Sequence, residues 1–106
     1  MNIQFKKGVL ELCVLSMLKD GDKYGYELAD AIGSHIEISE GTMYPLLRRL
    51  KREGYFEDYL VASPSGPARK YYRLTDKGRH TQMQLESEWR QFTDRVDKLI
   101  GGEQNE

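Results

Sequence analysis

Three helical stretches in succession, two strand-like segments around a proline- and glycine-rich tip, and a closing run of heptad-spaced apolar residues predict one fold class. It is mainly α with a β-hairpin wing: a winged helix-turn-helix over residues 1–78, followed by a long C-terminal dimerisation helix and tail over residues 79–106. A length of 106 residues, 39% of them hydrophobic, suits one unit with a small core. An apolar stripe left over at this size points to a second subunit.

The first helix is read in KKGVLELCVLSMLK, residues 6–19, where apolar residues are too continuous for a half-exposed strand and imply burial on most sides. Asp20-Gly21-Asp22 marks a turn. YGYELADAIG, residues 24–33, places Tyr24, Leu28 and Ile32 on one face, with Ala31 flanking, and predicts a short second helix ended by Gly33. SHIEIS, residues 34–39, reads as an extended connection. Either Ser39 or Thr42 can cap the next helix, which runs from about residue 40 to 53 and stops at Gly54.

That third helix, in GTMYPLLRRLKREG, divides cleanly on a wheel. Met43, Leu46, Leu47 and Leu50 share one arc; Gly41, Pro45, Arg48 and Arg52 oppose it; Thr42, Tyr44, Arg49 and Lys51 lie on the flanks. Proline is tolerated in a first turn because its missing N–H has no partner there anyway. A start at Ser39 puts Pro45 slightly too deep, so either the helix starts late or its opening turn is distorted.

After Gly54, YFEDYLVA is rich in aromatic and β-branched residues, SPSGPA forms a tip without regular pairing, and RKYYRLT returns as a second strand. Thr75 or Asp76 then caps a last helix reaching about Ile100, and the GGEQNE tail is read as frayed. Leu85, Trp89, Phe92, Val96 and Leu99 are spaced four, three, four, three, the a and d positions of a heptad seam. This seam is assigned to dimerisation, with packing against the chain's own first helix as the alternative.

The net charge of −1 hides an uneven distribution. Residues 41–80 hold nine cations against four anions; residues 81–106 hold three cations against six anions. A polyanion is therefore drawn to the middle of the chain. Gly41 and Pro45 keep bulk low where the backbone approaches a groove. Thr42 and Tyr44 supply hydroxyls, Arg48, Arg49 and Arg52 supply charge, and Arg69, Lys70 and Arg73 arm the wing for phosphate or minor-groove contacts. The plainer alternatives are a solvated charged helix face and an edge hairpin guarded by charge.

Cys13 is the only cysteine, so no intrachain disulfide forms, and it reads as a small buried hydrophobe. The N-terminal apolar stretch is interrupted by Glu11 and reads as neither signal peptide nor membrane span, which makes the cytoplasm the default location. Two histidines, His35 and His80, are too few and too far apart for a metal motif, and there is no glycine-rich phosphate loop. No metal, cofactor or enzymatic activity is expected.

YGYELADAI, SEGTMYPLLRRLKREGYFE and GPARKYYRLTDKG, in that order, resemble the PadR-like transcriptional regulators over residues 8–80. Gly41 to Leu50 matches the family's G-T-L-Y-P-L-L-x-R-L pattern with Met43 in place of leucine, and Arg69 to Thr75 matches R-K-Y-Y-x-L-T. The resemblance implies a dimeric winged helix-turn-helix repressor that binds palindromic double-stranded DNA and is often released by a small molecule. It favours a proline held within the third helix. It also implies the short subfamily, in which one C-terminal helix carries dimerisation with help from the N-terminal one. A small aromatic or hydrophobic effector could stack on Trp89, with Phe92 and Met83 in the same surroundings, although a tryptophan anchoring a dimer is the simpler reading. The rival function is a winged-helix module for protein contacts alone; the cations on the outer face of the third helix argue against it.

Overall fold

The computed structural model describes residues 3–101, with side chains from Gly8 onward. The elements run α1 (Ile3–Lys19), β1 (Lys23–Tyr24), α2 (Gly25–Ile36), α3 (Glu40–Arg52), β2 (Phe56–Ser63), β3 (Gly66–Leu74) and α4 (Asp76–Ile100). The sheet is antiparallel, in the order β1-β3-β2. This is the winged helix-turn-helix with its long last helix.

The core is built from one stripe of each helix and closed by the base of the wing. Leu10, Val14, Leu15 and Leu18 of α1 meet Leu28, Ala29 and Ile32 of α2, Met43, Leu46, Leu47 and Leu50 of α3, and Phe56 and Leu74 of the hairpin. These positions recur at three and four residues in the helices, so each helix buries one face. Cys13 sits partly buried against this cluster, and burial pushes its thiol up from its usual range.

Four local expectations are corrected. Gly33 does not end α2; the helix continues to Ile36, and Glu37 at φ 62° is the left-handed cap, its N–H donating to the Gly33 carbonyl. A Cβ on Gly33 would lie 3.2 Å from the Ile38 carbonyl oxygen, so the glycine lets the exiting chain fold back closely. Residues 34–36 are accordingly helical rather than extended. Tyr24 belongs to β1, pairing with Tyr71, and not to the α2 face. The hairpin tip is tighter than SPSGPA: Ser63 pairs with Gly66, and Val61 with Arg69, so β3 carries one extra residue there and Pro67 sits within this irregularity.

Ser39, not Thr42, occupies the N-cap of α3, and Pro45 lies inside the helix. Pro45 cannot donate to the Gly41 carbonyl. Gly41 is exposed, so that carbonyl keeps access to water.

The junction between the hairpin and α4 is closely fitted. Thr75 caps α4: its Oγ1 accepts from the Gly78 N–H at 3.0 Å and donates to the Gly54 carbonyl at 2.6 Å. Lys77 Nζ donates to the Glu53 carbonyl at the end of α3, 2.7 Å away. A Cβ on Gly78 would lie 2.0 Å from the Tyr55 carbonyl oxygen, so only glycine fits. Further along α4, buried Gln82 donates from Nε2 to Ser16 Oγ of α1 at 3.1 Å and to Glu86 Oε1 at 2.9 Å. That hydrogen bond, then the one from Arg90, holds the Glu86 carboxyl below its usual range.

Beyond Glu86 the helix outruns the core. The molecule measures 57 × 28 × 22 Å, and Phe92, Leu99 and Ile100 are 52%, 86% and 74% exposed. Residues 102–106, most of the tail read as frayed, lie outside the described residues.

Candidate nucleic-acid interface

With Met43, Leu46, Leu47 and Leu50 buried, α3 turns Gly41, Pro45, Arg48 and Arg52 outward. A shallow hollow of about 380 Å³ on this side is lined by Thr42, Pro45, Leu46, Arg48, Arg49 and Arg52. Among the described residues Arg48 and Arg52 make no ion pair. Arg49 differs: it is ion-paired with Glu11 of α1 and, at 3.1 Å, with Glu53 one turn on. Its guanidinium ties α3 to α1. The Glu53 partner was visible in the sequence at i+4, whereas Glu11 lies 38 residues away.

Tyr44 leans to the other flank, toward α2 and the wing. Burial, then Glu40, pushes its phenol up. It lines a cleft of about 440 Å³ between α3 and the hairpin, together with Arg48, Lys51, Asp58, Lys70 and Tyr72. Lys51 and Asp58 were not among the expected functional residues. Asp58 Oδ2 lies 2.7 Å from Lys51 Nζ and 3.9 Å from Lys70 Nζ. The signal for Asp58 is period two: Phe56, Asp58 and Leu60 share a strand face, as do Lys70, Tyr72 and Leu74 opposite them.

Arg69 and Arg73 therefore lie on the reverse face of the wing. The Arg69 guanidinium sits 4.9 Å from the centre of the Tyr24 ring. Arg73 covers Tyr59 at 4.5 Å and approaches Asp22 at 3.5 Å and Glu57 at 3.7 Å. Tyr59 donates to Asp22 at 2.6 Å, closing a polar cluster across the sheet base. Only Lys70 of the three wing cations shares the α3-facing cleft.

On α4, Leu85 packs against the core, and Trp89 borders a hollow of about 330 Å³ with Leu12, Ser16, Gln82, Glu86 and Arg90. Val96 is half-buried, and Phe92 and Leu99 are exposed. Met83 is 61% exposed in a different hollow, beside His80 and Glu88. It stands roughly 180° around the helix from Phe92. Within one chain, Met83 thus does not share the surroundings of Trp89 and Phe92, which corrects that expectation.

No helix of the described residues is long and apolar enough to cross a membrane, and they contain no group of three or more His, Cys, Asp or Glu placed to hold a metal.

The model of the "Transcriptional regulator PadR-like family" matches residues 14–84. The chain belongs to the PadR-like family. A crystal structure of a PadR-like transcriptional regulator from Bacillus cereus superposes with a TM-score of 0.82 at 41% identity, covering 94% of this chain and 99% of that one. A Streptococcus mutans structure superposes with a TM-score of 0.83 at 32% identity, covering 91% and 90%. A transcriptional regulator from Mycobacterium tuberculosis is 29% identical over 103 residues, 94% of this chain and 91% of its own. This PadR-like chain is thus a transcriptional regulator and not an enzyme.

Proposed function

We propose that this PadR-like regulator acts in the cytoplasm as a homodimeric repressor that seats α3 in the major groove of a palindromic operator. The observation that carries this reading is the bare outer face of α3, where Arg48 and Arg52 make no ion pair among the described residues and Gly41 and Pro45 keep the approach free of bulk. Thr42 and Tyr44 supply hydroxyls near its start, and Lys70, Arg69 and Arg73 supply charge from the wing. Arg49 acts mainly as the tether to Glu11.

Two chains pair through the α4 stripe of Leu85, Trp89, Phe92, Val96 and Leu99, in whose outer half Phe92 and Leu99 stand exposed among the described residues. Pairing places two α3 helices on successive major grooves, about 34 Å apart. A small aromatic or hydrophobic effector that stacks on Trp89 at that seam shifts the two heads and releases the DNA.

The test is fluorescence anisotropy with DNA from the upstream region of the regulator's own gene, against scrambled DNA, at two salt concentrations. Selective binding at two chains per duplex that weakens steeply with salt is the expected result. Absence of binding to any duplex at low salt would return the fold to the protein-contact reading.

A further inference from the structure

We propose that the cleft between α3 and the wing seats one backbone phosphate of the bound duplex, and that Asp58 is the chain's own counter-anion there, displaced from Lys51 and Lys70 when the phosphate arrives. This rests on the reading that α3 and the wing face DNA, and adds a site and a mechanism to it.

Lys51 comes from α3 and Lys70 from β3, yet both ammonium groups approach the same oxygen, Asp58 Oδ2, at 2.7 and 3.9 Å. Two cations drawn to one oxygen repel each other, and the carboxylate between them offsets that repulsion. Arg48 lines the same cleft without an ion pair among the described residues, so the cleft is lined by three cations and one anion. The cleft is positive even with Asp58 in place. The phenols of Tyr44 and Tyr72 also line it, and a hydroxyl donates to a phosphate as readily as to water. The α2 helix begins at the same cleft with Gly25, no side chain caps it, and its free N–H groups add positive potential.

The occupant must be an anion presented to α3 and the wing at once. A duplex lying across both elements does this with each phosphate it carries, and the excess cations give the matching charge. Asp58 keeps the seat assembled while it is empty and competes with the phosphate when DNA binds. Lys51 and Lys70 are half exposed, so they can exchange partners without unfolding the wing.

The experiment compares the parent protein with Asp58→Asn, Lys51→Gln and Glu88→Gln in anisotropy titrations on operator DNA over a salt series, with thermal melts for each. Glu88→Gln makes the same charge change on exposed α4, far from the cleft. Asp58→Asn is expected to tighten binding about two- to fivefold, the scale of one partly exposed charge pair. Lys51→Gln is expected to weaken binding and flatten the log–log salt slope by about 0.9, the loss of one phosphate contact. Glu88→Gln is expected to leave affinity in place. Weaker binding by a normally melting Asp58→Asn protein would make Asp58 a positioning residue of the wing and overturn the proposal. Equal tightening by Glu88→Gln would reduce the effect to net charge and overturn it too. In both cases the parent still binds its operator, so the repressor reading stands. If the parent binds no duplex, the seat falls together with that reading.

Discussion

Helices α3 and α4 are both amphipathic, but they end up with opposite unmet needs. In α3 the apolar stripe is fully covered by the chain itself, and the cationic face is bare. In α4, among the described residues, Gly78 and Gln82 are buried, Leu85 packs on the core, Trp89 and Val96 are half-buried, and Phe92, Leu99 and Ile100 stand in solvent. A bare cationic face is stable in water and waits for an anion. A bare apolar stripe is not at rest in water and is satisfied by another apolar surface. The difference supports the two roles proposed for this small domain: α3 for a charged partner, α4 for a second copy.

The comparison can be broken most severely where α4 is joined to the head. Gly78→Ala forces a Cβ into the Tyr55 carbonyl and should destabilise the fold by about 3 kcal/mol, seen as a large drop in thermal midpoint. Next, Phe92→Ser with Leu99→Ser should leave each chain folded by circular dichroism but monomeric in sedimentation. Losing the second half-site should weaken operator binding by about 100-fold. Within α3, Arg48→Ala should weaken binding about tenfold with a shallower salt slope and an unchanged melt. Its neighbour sharpens the contrast: Arg49→Ala should destabilise by about 1 kcal/mol through the lost Glu11 pair, with the smaller effect on DNA.

The smallest effect concerns Glu86. Its folded-state carboxyl is held below the ordinary 4.5, so the stability it adds is present above that pH and is lost as pH falls through the lower folded value. Glu86→Gln should flatten this acid limb in melts taken across that range.

Much of this was legible in the sequence because most elements announce themselves locally. The stripes of α1, α3 and α4 and the aromatic strands have the right period, and Thr75 is a capping residue in the right place. What escaped depends on distant partners. Strand β1 is two residues long, too short to carry a pattern, and exists because Tyr71 and Tyr72 of β3 pair with it. Gly33 looks like a stop signal, yet its role is to admit the Ile38 carbonyl. The wheel puts Arg48 on the outer face and Arg49 on the flank, but only the position of α1 shows that Arg49 has a partner there. Lys51 and Asp58 are seven residues apart in sequence, and only the fold brings them to one cleft.

The close fit around Gly78 and Thr75 has a mechanical consequence. With α3, the hairpin and α4 joined by the Lys77, Thr75 and Gly78 contacts, no loose linker separates the head from the long helix. Helix α4 is then a stiff lever about 38 Å long. A tilt of about 5° where two such levers cross would displace the far end of each by about 3 Å, close to the rise of one base pair. Fine angular changes at the seam would thus be delivered to the head undiminished, with no joint in between to absorb them.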